Sequence, residues 1–190
     1  MLSSAREHPV STGARQRDKL ANTPHAECPM NQETNTTSRL AALEARLGEL
    51  EDREAIRNLI ASYGPLADCG DADAVAALWH EDGIYDVGGF GSSQGHAAIA
   101  ALFEGVTHQE LMHDGCAHLL GPVHIRIDGR QALAVGHSCV LRHHEGRFEA
   151  YRVSANRWEM EKNATGDWRV KRRSNRLLDG AAAARELLRP

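Results

Sequence analysis

His118, Asp68 and Tyr63 are the residues whose types could do chemistry together. His118 stands where an apolar strand begins, in CAHLLGPVHIRID, flanked by Ala117 and Leu119. An imidazole titrates near neutral pH and can act as a general base when a carboxylate fixes its tautomer and stabilises its cation. Asp68, at the apolar end of the first long helix in SYGPLADCGD, is the candidate carboxylate; its plainer role would be that of a helix-terminal turn residue, which Asp71 or Asp73 fits as well. Tyr63 precedes Asp68 by five residues. On a straight helix that is about 140° of rotation, so the two share a face only if Pro65 breaks the helix between them.

Other chemistries lack their motifs. His143 and His144 are adjacent, so on a strand they face opposite ways. There is no HxH, HExxH or Cys/His set, and no metal is expected. No glycine-rich dinucleotide fingerprint, Walker motif or GxSxG elbow is present, so no cofactor is expected either. Arg169, Lys171, Arg172 and Arg173 form a basic run that reads as a solvated strand face, with one arginine turned inward.

These residues need elements to hold them. Residues 1–38 are rich in Pro, Ser, Thr, Asn and Gln and bury too little to repay their ordering entropy, so they read as a disordered tail. Order is expected from Ser38, a plausible N-cap. Leu40, Leu43, Leu47 and Leu50 then mark a helical face suited to packing on its own domain or on a dimer mate. Gly48 and the charged stretch Glu49–Arg53 are expected to divide this leader from the main helix, which should weaken at Gly64–Pro65. DADAVAALWHEDG reads as a short second helix ending at Gly83, GIYDVGGFGSSQG as a strand and hairpin, and GHAAIAALFEGV as a third helix. After residue 116 the pattern turns to strands at 117–127, 131–143, 148–161 and 168–175, joined by Asp128-Gly129, Glu145-Gly146 and Thr165-Gly166-Asp167 turns. Helices followed by a meandering antiparallel sheet make an α+β domain over 39–180, with 181–190 a C-terminal segment. By alternation, His137, Cys139, Leu141 and His143 share one face of their strand, and Ser154, Asn156, Trp158 and Met160 one face of theirs. Such mixed faces suit a small-molecule pocket as well as a half-solvated sheet.

Composition sets outer limits. The chain has 190 residues, with 22 Lys+Arg against 26 Asp+Glu and a formal charge of −4. That balance argues against nucleic-acid or anionic-membrane partners, and no apolar run is long enough to span a bilayer. Four scattered cysteines with no CxxC spacing suit free thiols in the cytoplasm.

From Leu40 to about Asp179 the chain resembles the SnoaL-like branch of the nuclear transport factor two superfamily, notably in LEDREAIRNLIASYGPLADCGDADAVAALWHEDGIYDVGG. The resemblance implies a cone: a curved antiparallel sheet enclosing a pocket, closed by the N-terminal helices, in a protein that forms homo-oligomers, dimers or trimers. Among the Asp–His lyases of this group, Tyr63, Asp68 and His118 match the bile-acid 7α-dehydratase pattern. Asp68, His118 and Arg173 match hexachlorocyclohexane dehydrochlorinase, although Tyr63 replaces that enzyme's lysine. His118 and His143, together with Ser154 and Asn156, match scytalone dehydratase, whose strand tyrosine falls near Tyr85 or Asp86. The implied activity is dehydratase-type elimination on a small hydrophobic substrate, with isomerisation, ligand binding alone, or an accessory role such as that of an aromatic-ring dioxygenase β-subunit as the alternatives. Catalysis would fall to His118, Asp68, Tyr63 and His143, and substrate binding to Tyr85, Ser154, Asn156, Trp158 and Arg173.

Overall fold

The computed structural model describes residues 29–190, with side chains from residue 33 onward. The chain divides into a unit of residues 1–42, whose described part is helical, and a unit of residues 43–190 that holds the sheet. The first helix, α1, runs Pro29–Asp68. It starts ahead of Ser38, so residues 29–38 are helical rather than part of a tail, and proline is well placed at a helix start because its missing N–H has no partner there anyway. The rest of the expected tail, residues 1–28, lies outside the described residues.

No break occurs at Gly48. Glycine costs a helix about 1 kcal/mol but does not end it, and Arg53 bridges the expected break by donating Nη2–H to Glu49 Oε1 at 2.8 Å. Leu40, Leu43, Leu47 and Leu50 are all more than half exposed. The face that is buried is Ile56, Ile60, Tyr63 and Ala67, at steps of four, three and four. Pro65 likewise lies inside the helix.

Helix α2 spans Ala72–Ala76 and strand β1 spans Trp79–Val87. The second helix is thus shorter than its sequence pattern, because the sheet claims the segment after it: Val170 N–H donates to the Leu78 carbonyl at 2.9 Å. Strand β2 (Gly91–Gln94), helices α3 (His96–Glu104) and α4 (Val106–Asp114), and strands β3 (Cys116–Asp128), β4 (Gln131–His144), β5 (Arg147–Lys162) and β6 (Trp168–Leu177) follow, and α5 (Ala182–Leu187) forms the C-terminal segment. The β4–β5 turn uses Glu145 at φ 49° and Gly146 at φ 80°, the two left-handed residues that a tight hairpin loop of the right twist requires.

The six strands form one sheet in the order β2-β1-β6-β5-β4-β3. All junctions are antiparallel except β1–β6, which is parallel. Register shifts interrupt the ladders between Leu120 and Val123, Val140 and Leu141, and Glu159 and Met160. Bulges of this kind bend long strands, and here they accompany the curved, open sheet of a cone. Trp79, Trp158, Ile99, Phe103 and Val170 fill the core with the buried face of α1. No described helix is long and apolar enough to cross a membrane.

Candidate active site

Gly64 lets α1 and β3 approach at His118. A Cβ at residue 64 would lie 2.1 Å from the His118 carbonyl oxygen, so any side chain there would collide with backbone. Asp68, the last residue of α1, then reaches across with both oxygens. Its Oδ2 accepts from the His118 backbone N–H at 2.9 Å, and its Oδ1 accepts from ring Nδ1–H at 2.6 Å. A carboxylate can only accept, so Nδ1 carries the proton and Nε2 remains as the ring's acceptor. Asp71 is occupied differently, capping α2 by accepting from Ala74 N–H at 3.0 Å.

Tyr63 meets the same imidazole edge-on, with ring centroids 6.1 Å apart. The helix does not break to achieve this. Gly64 and Ala67 fall between Tyr63 and Asp68 around the helix, so about 140° of separation leaves the two side chains flanking a small-residue strip over which His118 approaches. The Tyr63 hydroxyl shares a hydrogen bond with that of Tyr85 at 3.1 Å. Burial holds the Tyr85 phenol above its ordinary pKa.

The His118 ring is nearly buried, and desolvation pushes its pKa below the ordinary histidine value; the Asp68 carboxylate opposes the shift, and the neighbouring His108 and Arg173 add to it. His118 is therefore neutral at neutral pH, the state a general base requires. Cys116 completes the cluster by donating Sγ–H to Asp68 Oδ1 at 3.6 Å. Burial, reinforced by that carboxylate, pushes its thiol up to about 11. Asp68, Cys116 and His118 converge closely enough to suggest metal ligation. In this structure the three are joined by hydrogen bonds centred on Asp68 Oδ1.

His118, Tyr63, Tyr85 and Arg173 line one cavity of about 310 Å³. Arg173 is buried, with its guanidinium carbon 4.0 Å from the Tyr63 ring centroid and 4.1 Å from that of Trp158. Its Nε–H and Nη2–H donate to Asn156 Oδ1 at 3.1 and 2.9 Å. Asn156, Ser154 and Trp158 are themselves buried and form no part of the cavity wall. Asn156 and Trp158 hold Arg173 from behind, and the Ser154 hydroxyl has no hydrogen-bond partner among the described residues. His143 also lies off the wall. Val140 is the β4 partner of His118, while His143 pairs with Phe148 beside the hairpin turn. Three residues of strand correspond to about 10 Å, which removes His143 from the chemistry.

Two wall residues were not singled out by the sequence. His108, buried on α4, donates Nε2–H to the Ala67 carbonyl at 2.9 Å and stands 5.5 Å from the His118 ring. Its signal is the three-residue step to Leu111, the other buried residue of that helix. Arg152 donates Nη2–H to the Gly88 carbonyl at 2.7 Å and to Asn175 Oδ1 at 3.0 Å. Nothing in its strand pattern separates it from the surface arginines of the same sheet.

Residues 48–174 match the SnoaL-like domain family. No curated protein matches the chain in sequence. Among solved structures, an NTF2-like protein with a cystatin-like fold from Novosphingobium aromaticivorans is 57 % identical, with TM-score 0.77, covering 80 % of this chain and 97 % of its own. A candidate scytalone dehydratase from the same organism is 19 % identical, with TM-score 0.57 and coverage of 68 % and 85 %. A candidate aromatic ring hydroxylase, again from that organism, is 23 % identical, with TM-score 0.54 and coverage of 68 % and 90 %. The last two likenesses are of fold.

Proposed function

The chain belongs to the SnoaL-like domain family, and from that premise we propose that it is a lyase of the dehydratase type acting on a small hydrophobic substrate. The observation that carries this reading is the 2.6 Å hydrogen bond between His118 Nδ1 and Asp68 Oδ1 at the wall of an apolar cavity. Neutral His118 would take a proton through Nε2 from a carbon next to a carbonyl or similar activating group. Asp68 would stabilise the imidazolium that forms, and the Tyr63 hydroxyl would hydrogen-bond to the oxyanion. The imidazolium would return its proton to the hydroxyl as the C–O bond breaks, so that water leaves and His118 is neutral again. General-base catalysis of this kind contributes about 10²–10⁴-fold. The free thiols of Cys69, Cys116 and Cys139 suit a cytoplasmic setting. The fold likeness to a candidate scytalone dehydratase supports elimination as the first reaction to test.

The test is turnover of a panel of cyclic β-hydroxy ketones, followed by product analysis and by the variants His118→Ala and Asp68→Asn. Loss of water with a new conjugated double bond, abolished by His118→Ala and reduced at least a hundredfold by Asp68→Asn, is the expected result. Migration of a double bond without loss of water would make the protein an isomerase using the same base. Turnover unchanged in both variants would overturn the assignment.

A further inference from the structure

The cavity that holds His118 carries an unbalanced charge. Two of its wall residues, Arg152 and Arg173, are permanently positive, and no aspartate or glutamate lines it among the described residues. Neither guanidinium has a carboxylate within ion-pair distance among the described residues; their acceptors are the Gly88 carbonyl and the side-chain oxygens of Asn175 and Asn156. Arg173 Nη1 is buried with no hydrogen-bond partner among the described residues. Other arginines of the same sheet are treated differently: Arg142 and Arg176 each pair with an aspartate.

Taking a cation out of water costs several kcal/mol unless an anion or a full set of acceptors compensates it. Here burial, with the like charge of Arg173 adding to it, lowers the pKa of Arg152. The Tyr63, Tyr85 and Trp158 rings compensate Arg173 in part, and Arg152 is only half-buried, but neither cation has a counter-charge among the described residues, which an anion entering the cavity would supply. The rest of the wall restricts what that is. Phe103, Leu120 and Val140 make it apolar, and Arg152 lies beneath the exposed ring of Phe90, its guanidinium 5.6 Å from the ring centroid.

We propose that the cavity binds a ring-bearing organic carboxylate, with its carboxylate on Arg152 and its apolar ring against Phe103 and Leu120. This names the substrate class of the site proposed above and rests on that reading of the cavity, but it predicts binding without turnover and so can fail separately. Arg173 supplies the background positive field and, being walled by Tyr63 and Trp158, holds its place whether or not a ligand is bound.

The experiment compares two isosteric probes, 2-naphthoate and its neutral amide 2-naphthamide, by titration calorimetry on the full chain at pH 7.5. The expected result is at least tenfold tighter binding of the carboxylate, weakened by added salt. Arg152→Gln should remove that preference while leaving the amide within twofold, and Arg152→Lys should keep part of it. Thermal unfolding of both variants shows whether the fold is intact. Equal affinity for the two probes, no binding of either, or a preference that survives in a folded Arg152→Gln protein would overturn the proposal. His118→Ala separates the two claims. Naphthoate binding retained in that variant, with no turnover found in the wild type, would keep the anion site and sink the lyase. His118-dependent turnover of neutral substrates with no carboxylate preference would do the reverse.

Discussion

Asn156 Oδ1 accepts both Nε–H and Nη2–H of the buried Arg173, at 3.1 and 2.9 Å, and the Nδ2–H of Asn175 at 3.0 Å. A neutral amide thus stands where a buried guanidinium commonly has a carboxylate. The arrangement orients Arg173 without cancelling its charge, which is what a cavity that attracts anions needs. Two substitutions separate orientation from charge. Asn156→Leu strips a buried cation of its main acceptor and is expected to cost about 3 kcal/mol or more, read as a large fall in Tm. Asn156→Asp keeps an acceptor and adds a compensating charge, so it should unfold well above Asn156→Leu yet bind naphthoate more weakly than the wild type. An Asn156→Asp protein as unstable as Asn156→Leu would show that Arg173 is not held by this oxygen.

Tyr63 joins the cavity to the core. Its ring lies over Arg173 while its hydroxyl meets that of Tyr85. Tyr63→Phe keeps the ring and removes only the donor. Turnover is expected to fall about a hundredfold, in the range lost when one donor to a developing oxyanion is deleted, with Tm nearly unchanged. A large loss of stability with turnover per folded molecule intact would make Tyr63 a core residue alone.

The pH profile follows from the downward shift of His118. Desolvation is the main cause, and the titratable or charged groups facing the ring are Asp68 from α1, His108 from α4 and Arg173 from β6. The base form is active, so kcat/KM should be flat through neutral pH. It should fall only below the ordinary histidine value of about 6.5. Asp68→Asn removes the group that opposes the shift and should move that acid limb lower still, besides slowing the reaction. His108→Gln, whose amide can still donate to the Ala67 carbonyl, removes a neighbour that lowers the His118 pKa and should move the limb upward. Folding stability has the same sense. The folded state binds the His118 proton less readily than the unfolded chain, so this group's contribution is full above about pH 6.5 and is lost as pH falls through the folded value. A limb above 6.5 in the wild type would contradict the assignment of His118 as the base.

The sequence made the sheet readable because strand alternation and Asp-Gly or Glu-Gly turns are local signals. The position of Asp68 was readable for a similar reason: a carboxylate at the end of an apolar helix stands out. What could not be read is tertiary. The rotation between Tyr63 and Asp68 looked unfavourable because helix geometry says nothing about the strand that approaches between them. His143 shares a strand with the His118 partner Val140, and its exclusion depends on how far along that strand the cavity extends. Arg152 has the sequence context of a surface arginine, and only the Phe90 loop and the turn of the sheet place it over a cavity. The leucines of α1 show the converse. Their spacing identifies a helix face correctly but carries no information on what covers it, and in the described chain they are exposed.

Gly64 gives the sharpest test of how α1 is seated on β3. In an isolated helix, Gly→Ala is favourable by about 1 kcal/mol. Here the added Cβ would meet the His118 carbonyl oxygen at 2.1 Å and its carbonyl carbon at 3.3 Å. These are backbone atoms, so no rotamer change relieves the contact, and helix and strand must move apart. Overpacking of this kind typically costs about 1–3 kcal/mol, enough to reverse the helix preference. The displacement acts directly on the two hydrogen bonds between Asp68 and His118. Gly64→Ala should therefore lower Tm and reduce turnover by more than the unfolded fraction explains, and it should move the acid limb of the pH profile downward as Asp68 loses its hold on the imidazole. Gly48→Ala is the control, because a Cβ there meets nothing within 4 Å. That substitution should raise Tm slightly and leave turnover alone. If both glycine variants behave alike, the close approach of α1 to His118 does not exist, and the proposed catalytic pair has no support from the helix that carries it.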